Sequence, residues 1–368
     1  MTRHTKKNLI YFAGAIILFL LGMSLFIINK PLKIRNYVKV RMGTFVEIVL
    51  KGDNPEAAQT AFDEIARLEE IFSSYKPDSE VSRISKNAGI RPVKVSGDVI
   101  EVLEAALKIS IATDGAFDPT IGAVTKLWDF SKVGGMNTEE GKLTVDSPIP
   151  TREALARNLP LVNYRKISIN KNASTVMLDK KGMTLNLGGV AKGYIVRKAF
   201  LKMQEEHDVN WAVIRAGGDM TVFHDPKSKL EVEKSKDPLT VGIQHPRKKS
   251  IIVGMLELTP YDESFSTRAA SSISTSGDYE RFFIRDEKRY HHILDPRTGM
   301  PAGNSQSATI LSRDPILADA LSTSVFILGE EKGMALIEAT DGVEGVIINK
   351  DGVVSVSSGL TDIYKPHN

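Results

Sequence analysis

Two stretches gather residue types suited to proton transfer and phosphate chemistry. The run Tyr290-His291-His292-Ile293-Leu294-Asp295-Pro296-Arg297-Thr298-Gly299-Met300-Pro301 sets two imidazoles beside a turn and a guanidinium. Histidine is the side chain whose ordinary titration lies nearest neutrality. Tyr290 to Leu294 reads as a strand, and Asp295-Pro296-Arg297-Thr298-Gly299 has turn chemistry: Asp to cap, Pro with its φ preset, Gly to allow positive φ. Neighbouring strand residues face opposite ways, so only one of His291 and His292 points into a site. The plainer alternative is a surface hairpin with two solvated histidines. In the second stretch, Asp319 and Thr323 are four apart in a helical pattern and share a face. A carboxylate and a hydroxyl so placed are hard oxygen ligands of the kind magnesium accepts when phosphates complete its shell. Alternatively, Asp319 serves the helix dipole and Thr323 packs in the core.

Glycine-rich turns surround these stretches. In Gly182-Met183-Thr184-Leu185-Asn186-Leu187-Gly188-Gly189-Val190-Ala191-Lys192-Gly193-Tyr194 a strand runs into two glycines and a helix opens at Val190-Ala191-Lys192. Free amides at a helix start, with a lysine beside them, suit a phosphate. The spacing is neither a Walker A loop nor a dinucleotide fingerprint. Gly115-Ala116-Phe117-Asp118-Pro119-Thr120-Ile121-Gly122 and Arg215-Ala216-Gly217-Gly218-Asp219 are further turns where backbone approaches a ligand closely, or simply ends an element. The hydroxyl-rich Ser271-Ser272-Ile273-Ser274-Thr275-Ser276-Gly277-Asp278-Tyr279-Glu280 reads either as a polar strand edge or as a lining for a polyoxygenated or phosphorylated ligand.

The elements that must position these groups are legible in outline. Arg41 to Leu50 alternates as a strand. Asn54-Pro55-Glu56 opens a helix whose apolar spacing runs through Ala58, Phe62, Ile65, Leu68 and Phe72. A second helix spans about Asp98 to Thr113. Trp211 to Ile214 and Arg281 to Ile284 read as strands, and the charged stretch 225–237 as an exposed loop. Asp314 caps a helix with Pro315 in its first turn, and Gly329 ends it.

Composition narrows the function. The 368 residues suffice for one large domain or two intimately joined ones. With 48 basic against 45 acidic residues and a net charge of +3, nothing points to nucleic acid. The absence of cysteine excludes disulfides, thiolate metal sites, a cysteine nucleophile and a lipid-modified N-terminal cysteine. Residues 9–28 form an apolar run long enough for one helical crossing of a bilayer, preceded by a short basic tail, 1–8. No small-x-small site follows in Phe26-Ile27-Ile28-Asn29-Lys30, so the run reads as a retained anchor. Flanking positive charges balance. The signal-anchor pattern therefore carries the expectation of a single-pass cell-membrane protein whose catalytic part lies outside the cytoplasm. Residues 29–39 read as a linker and 40–368 as the folded domain.

Taken in order, Met42-Gly43-Thr44, Phe117-Asp118-Pro119-Thr120, Asn186-Leu187-Gly188-Gly189-Val190-Ala191-Lys192-Gly193-Tyr194, Ala216-Gly217-Gly218-Asp219, Ser274-Thr275-Ser276-Gly277-Asp278, His292-Ile293-Leu294-Asp295-Pro296-Arg297-Thr298-Gly299 and Ala318-Asp319-Ala320-Leu321-Ser322-Thr323 form an ordered motif set. In this the chain resembles the ApbE family of FAD:protein FMN transferases, from about Val40 to its end. The resemblance implies an α+β (mixed α/β) fold of one compact domain, one- or two-lobed, behind the anchor. It also implies a magnesium-dependent enzyme that cleaves FAD, attaches FMN through a phosphoester to Ser or Thr of an acceptor flavoprotein, and releases AMP. By family position, Gly189, Asp319, Ser322 and Thr323 hold Mg2+. Met42, Tyr75, Ala116, Phe117, Asp118, Asn186, Lys192 and Ile293 line FAD. Asp319 is catalytic through the metal, and His292 is the base, with His291 as fallback.

The sequence departs from the family at two places. Asn186 stands where many members carry an acid, and the usual lipoprotein cysteine is absent, so the apolar run takes the place of lipid. Asp351-Gly352-Val353-Val354-Ser355-Val356-Ser357-Ser358 only half echoes the family's acceptor pattern and reads as a C-terminal hairpin, which argues against self-modification. Two other activities remain compatible with the residues: hydrolysis of FAD to FMN and AMP, and anchored FAD binding without cleavage.

Overall fold

Strand pairing in this computed structural model follows the apolar alternation. The structure describes residues 34–128, 130, 149–224, 239–258 and 270–367. An eight-stranded sheet runs in the order Ile34–Arg41, Thr44–Lys51, Trp211–Ala216, Asp219–His224, Ala270–Gly277, Ser305–Ser312, Val343–Asn349, Val354–Val356. Every pairing in it is antiparallel, which makes the fold α+β.

The sheet is covered on both faces, so Trp211–Ala216 and Val343–Asn349 bury residues on both sides, while Ala270–Gly277 carries a run of hydroxyls. On one face Val46, Ile48, Ala308, Ile310 and Ile347 join a core with the helices Pro55–Phe72, Gly97–Ala112, Ala191–His207 and Pro315–Leu328. On the other, Ile273, Leu311 and Val346 pack with Ile243 and Leu256, which belong to a three-stranded sheet of Leu239–Gln244, Ile252–Leu258 and Tyr364–Pro366. A third cluster, around Trp128, Phe130, Phe283 and Leu294, lies under the histidine-bearing segment. Phe283 stacks on Tyr290 at 5.2 Å there, and the Trp128 indole N–H donates to the Gly299 carbonyl at 2.8 Å.

Helix boundaries follow their caps. The Asn54 side chain accepts from the Ala57 amide at 3.0 Å, and Pro55 occupies the first turn. Phe62, at 2% exposure, anchors that helix in the core; its truncation to Ala would cost about 3–5 kcal/mol. Ser96 caps Gly97–Ala112. Asp314 accepts from the Ile316 amide at 2.9 Å, and Gly329 ends that helix at φ 82°.

Three boundaries differ from the sequence reading. The first strand begins at Ile34, inside the stretch read as linker, and pairs residue for residue with Thr44–Lys51. The histidine strand is Lys288–His291, paired with Phe282–Arg285 across a turn in which Asp286 and Glu287 both have positive φ. The Asp295–Gly299 turn instead closes a single bridge, Leu294 with Pro301. The basic tail 1–8, the apolar run 9–28 and the loop 225–237 lie outside the described residues. Among the described residues, no helix is long and apolar enough to cross a membrane.

Candidate active site

The site lies at the seam where helix Pro315–Leu328 crosses strand Ala270–Gly277. Alternation sends Ile273 into the far cluster and Ser274 and Ser276 toward the helix. Ser276 Oγ lies 3.0 Å from Ser322 Oγ and 3.2 Å from Thr323 Oγ1. Asp319, one turn earlier, is 3% exposed, and its Oδ2 accepts from the Gly193 amide at 3.0 Å. A helix start is a natural seat for a carboxylate, so one amide read as a phosphate donor is held by Asp319.

Lys192 stands between two acids. Its ammonium pairs with Asp219 and lies 3.9 Å from Asp319 Oδ1. Burial alone would lower its proton affinity; Asp219 and Asp319 outweigh that and hold it above the ordinary lysine value. Asp219 is fixed in turn by Ser274 Oγ at 2.6 Å and the Thr275 amide at 3.0 Å. Burial pushes the Asp319 carboxyl up to about 6, against the pull of Lys192.

Gly189 completes this corner. A Cβ there would meet Thr323 Oγ1 at 3.2 Å and the Phe117 ring at 3.1 Å, so the glycine allows backbone, helix and ring to converge. Among the described residues, no group of three His, Asp or Glu side chains is arranged to hold a metal ion by itself. One carboxylate, two hydroxyls and a nearby backbone form a hard-oxygen donor set of the kind that suits a magnesium keeping several waters and completing its shell with phosphate oxygens. The residues present therefore fit that ion.

The Ala116–Thr120 loop packs beside this corner. Ala116, Phe117 and Asp118 are buried. Asp118 accepts from the Thr120 amide (2.8 Å), the Thr120 hydroxyl (2.6 Å) and the Tyr164 amide (2.9 Å), so its carboxylate holds its own loop together. Asn186 docks its amide on the Pro119 carbonyl at 2.8 Å, while its side-chain oxygen accepts from the Gly188 amide at 3.0 Å. The amide side chain thus does the turn-forming work, with no charge required. Met42 sits in a positive-φ turn, with its amide on Glu69. Tyr75 is 70% exposed, in the loop after the first helix.

The two histidines sit in different surroundings. His291 is 4% exposed, its Nε2 is 2.8 Å from the Ala302 carbonyl, and its ring meets Phe326 edge-on. The charges acting on it are Asp278, Arg289 and Arg247. His292 keeps part of its surface open. Its Nδ1 is 3.3 Å from the Arg281 carbonyl, which suits an Nδ1–H donor and leaves Nε2 as a free acceptor. Burial, and then the charges of His291, Arg281 and Lys192, push its imidazole down to about 3. His292 thus shares the Lys192 neighbourhood, and Ile293 follows it into the core. Arg297, the guanidinium of the opening motif, makes a two-pronged pair with Asp295 at 2.8 and 2.7 Å and serves the turn.

Asp219, Ser274, Ser276 and Glu280 lie inside stretches the sequence marks but receive no role of their own there. Ser274 and Ser276 carry a signal in their two-residue spacing, whereas the pairing of Asp219 and Glu280 with Lys192 is hidden because Lys192 is remote in sequence.

Known proteins resemble this chain over most of its length. The model of the ApbE family matches residues 42–347. The FAD:protein FMN transferase of Treponema pallidum (strain Nichols) is 31% identical over 351 residues, covering 90% of this chain and 89% of its own. That of Klebsiella pneumoniae (strain 342) is 29% identical, covering 89% and 92%. The crystal structure of the ApbE protein of Thermotoga maritima MSB8 superposes with a TM-score of 0.75 at 29% identity, covering 90% of this chain and 99% of that one. The flavin transferase ApbE of Vibrio cholerae gives 0.71 at 25%, covering 90% and 100%.

Proposed function

The chain belongs to the ApbE family, and from that premise we propose that it is an FAD:protein FMN transferase whose centre is the Asp319–Thr323–Gly189–Lys192 corner with His292 facing it. The observation that carries the assignment to these residues is the meeting of Asp319 with Lys192 and the Gly193 amide, three groups from two distant motifs at one point.

The acceptor is a Ser or Thr hydroxyl of a flavoprotein. Its oxygen forms a bond to the FMN-side phosphorus of FAD, the bridging P–O bond breaks, and AMP leaves with the electron pair. His292 takes the hydroxyl proton at Nε2; held neutral by its surroundings, it has that lone pair available at physiological pH. Lys192 binds the diphosphate by charge, and Asp219 keeps the ammonium aimed. Met42, Tyr75, Ala116, Phe117, Asp118, Asn186 and Ile293 line the FAD, with Tyr75 free to cover a ring and Asp118 acting through the loop it organises. Asp319, Thr323, Ser322 and the Gly189 carbonyl hold Mg2+. The ion supplies charge neutralisation at the diphosphate, the main demand of phosphoryl transfer.

The apolar run 9–28, long enough to cross a bilayer once, supports a single-pass membrane anchor, and the signal-anchor pattern, not the balanced flanking charges, supports an enzyme outside the cytoplasm. In the C-terminal hairpin, Ser355 bonds Glu330 and Ser357 bonds Glu344, so neither hydroxyl is a free acceptor. The test is to incubate the protein with FAD, magnesium and a Ser/Thr acceptor flavoprotein and look for flavin fluorescence that survives denaturing electrophoresis on the acceptor band. Fluorescence on the acceptor supports the reading, and its absence while FAD is consumed opposes it.

A further inference from the structure

The strand that ends at His291 has a second side. Away from the Lys192 corner, a cavity of about 350 Å³ opens beneath the 282–291 hairpin, and four cations line it: Arg247, Lys288, Arg289 and Lys350. Asp278 is the one acid among its lining residues, and Arg247 already grips both of its oxygens, at 2.6 and 2.7 Å. Arg289 lies over the Phe282 ring at 3.7 Å and makes one long bond, 3.4 Å, to the Asp278 carbonyl. Among the described residues, most of its five N–H donors are therefore uncommitted. Lys350 touches Asp351 at 2.8 Å, but both side chains are 65% exposed, a contact that solvent weakens. Two buried atoms of the lining residues, His291 Nδ1 and Ser305 Oγ, have no hydrogen-bond partner among the described residues.

We infer that this cavity is a second binding site, distinct from the FAD site, for a small phosphate-bearing molecule. Positive charge exceeds negative in the lining, and a guanidinium braced on an aromatic ring presents a fork that matches phosphate oxygens. The volume is at the small end of the range for ligand pockets, which suits inorganic pyrophosphate or a phosphate-bearing molecule of that size. His291 and Ala302 line the cavity, with His291 Nε2 2.8 Å from the Ala302 carbonyl, whereas the next residue's ring turns the other way, His292 Nδ1 lying 3.3 Å from the Arg281 carbonyl. The site therefore lies behind the strand that carries the proposed base, and a ligand there would not compete with FAD.

Equilibrium dialysis of the full-length protein against inorganic pyrophosphate, in magnesium-free buffer and with FAD saturating, tests this. The expected result is pyrophosphate binding that persists with FAD present and weakens about tenfold, the loss of two cation contacts, in the Lys288→Gln/Lys350→Gln double variant. FAD binding and circular dichroism should be unchanged in that variant. Absence of binding, displacement of pyrophosphate by FAD, or equal affinity in the double variant would each overturn the inference.

Discussion

The amide of Gly193 donates to Asp319 Oδ2 at 3.0 Å across 126 residues of sequence, which locks the starts of two helices together at the reactive corner. The helices also touch directly, since a Cβ on Gly193 would stand 2.0 Å from the Pro315 carbonyl oxygen. Gly193→Ala must therefore push the helices apart. The expected loss is about 1–3 kcal/mol, read as a lowered thermal midpoint, together with weaker magnesium binding. A variant as stable as the parent would contradict the contact.

Asp319 ties metal affinity to pH. Its carboxyl is raised to about 6 by burial, and a metal needs the ionised form. Magnesium affinity should then fall about tenfold from pH 7 to pH 5, measured by calorimetry. For the metal-free protein the sign is the same as for any raised acid. The native state holds the proton more tightly than the unfolded one, so stability drops as pH rises from about 4 through about 6, and magnesium should restore it most at pH 7 and above.

His292 gives the opposite sign. Its imidazole is lowered to about 3, whereas the unfolded chain protonates near 6.5. Below about 6.5 the unfolded state binds the extra proton, so this residue's contribution is lost as the solution is acidified. With saturating magnesium, kcat/KM should stay level from pH 8 to about 6, because the free enzyme's base is already neutral. An acid limb near 6.5 that vanishes in His292→Asn would contradict this.

Asp118 predicts a defect in positioning. Its carboxylate accepts three hydrogen bonds that Asn would only partly replace. Asp118→Asn should lose about 1–3 kcal/mol of stability and raise the KM for FAD more than it lowers kcat.

Much of this was legible in the sequence, for reasons particular residues show. Asn54 and Asp314 cap helices as the sequence implies, because capping is a local interaction. The edge strand Ile34–Arg41 reads as a linker in the sequence, since Ile34, Val38 and Val40 are 61%, 56% and 61% exposed and give no buried face for alternation to reveal. The charged contacts of the corner were equally hidden. Lys192 meets Asp219 and Asp319 only through tertiary packing, and Arg297, which looked available for chemistry, is held by Asp295 two residues away. The motifs marked which loops matter, and the packing decides which side chains in them are free.

The most direct test is to mix the full-length protein with FAD, magnesium and a Ser/Thr acceptor peptide, and to weigh the peptide while counting AMP. The account predicts one FMN added per AMP released, with both lost in Asp319→Ala and the adduct lost in His292→Ala. AMP released at the same rate with or without peptide, with no flavin on the peptide, would contradict it, as would FAD that remains bound and whole.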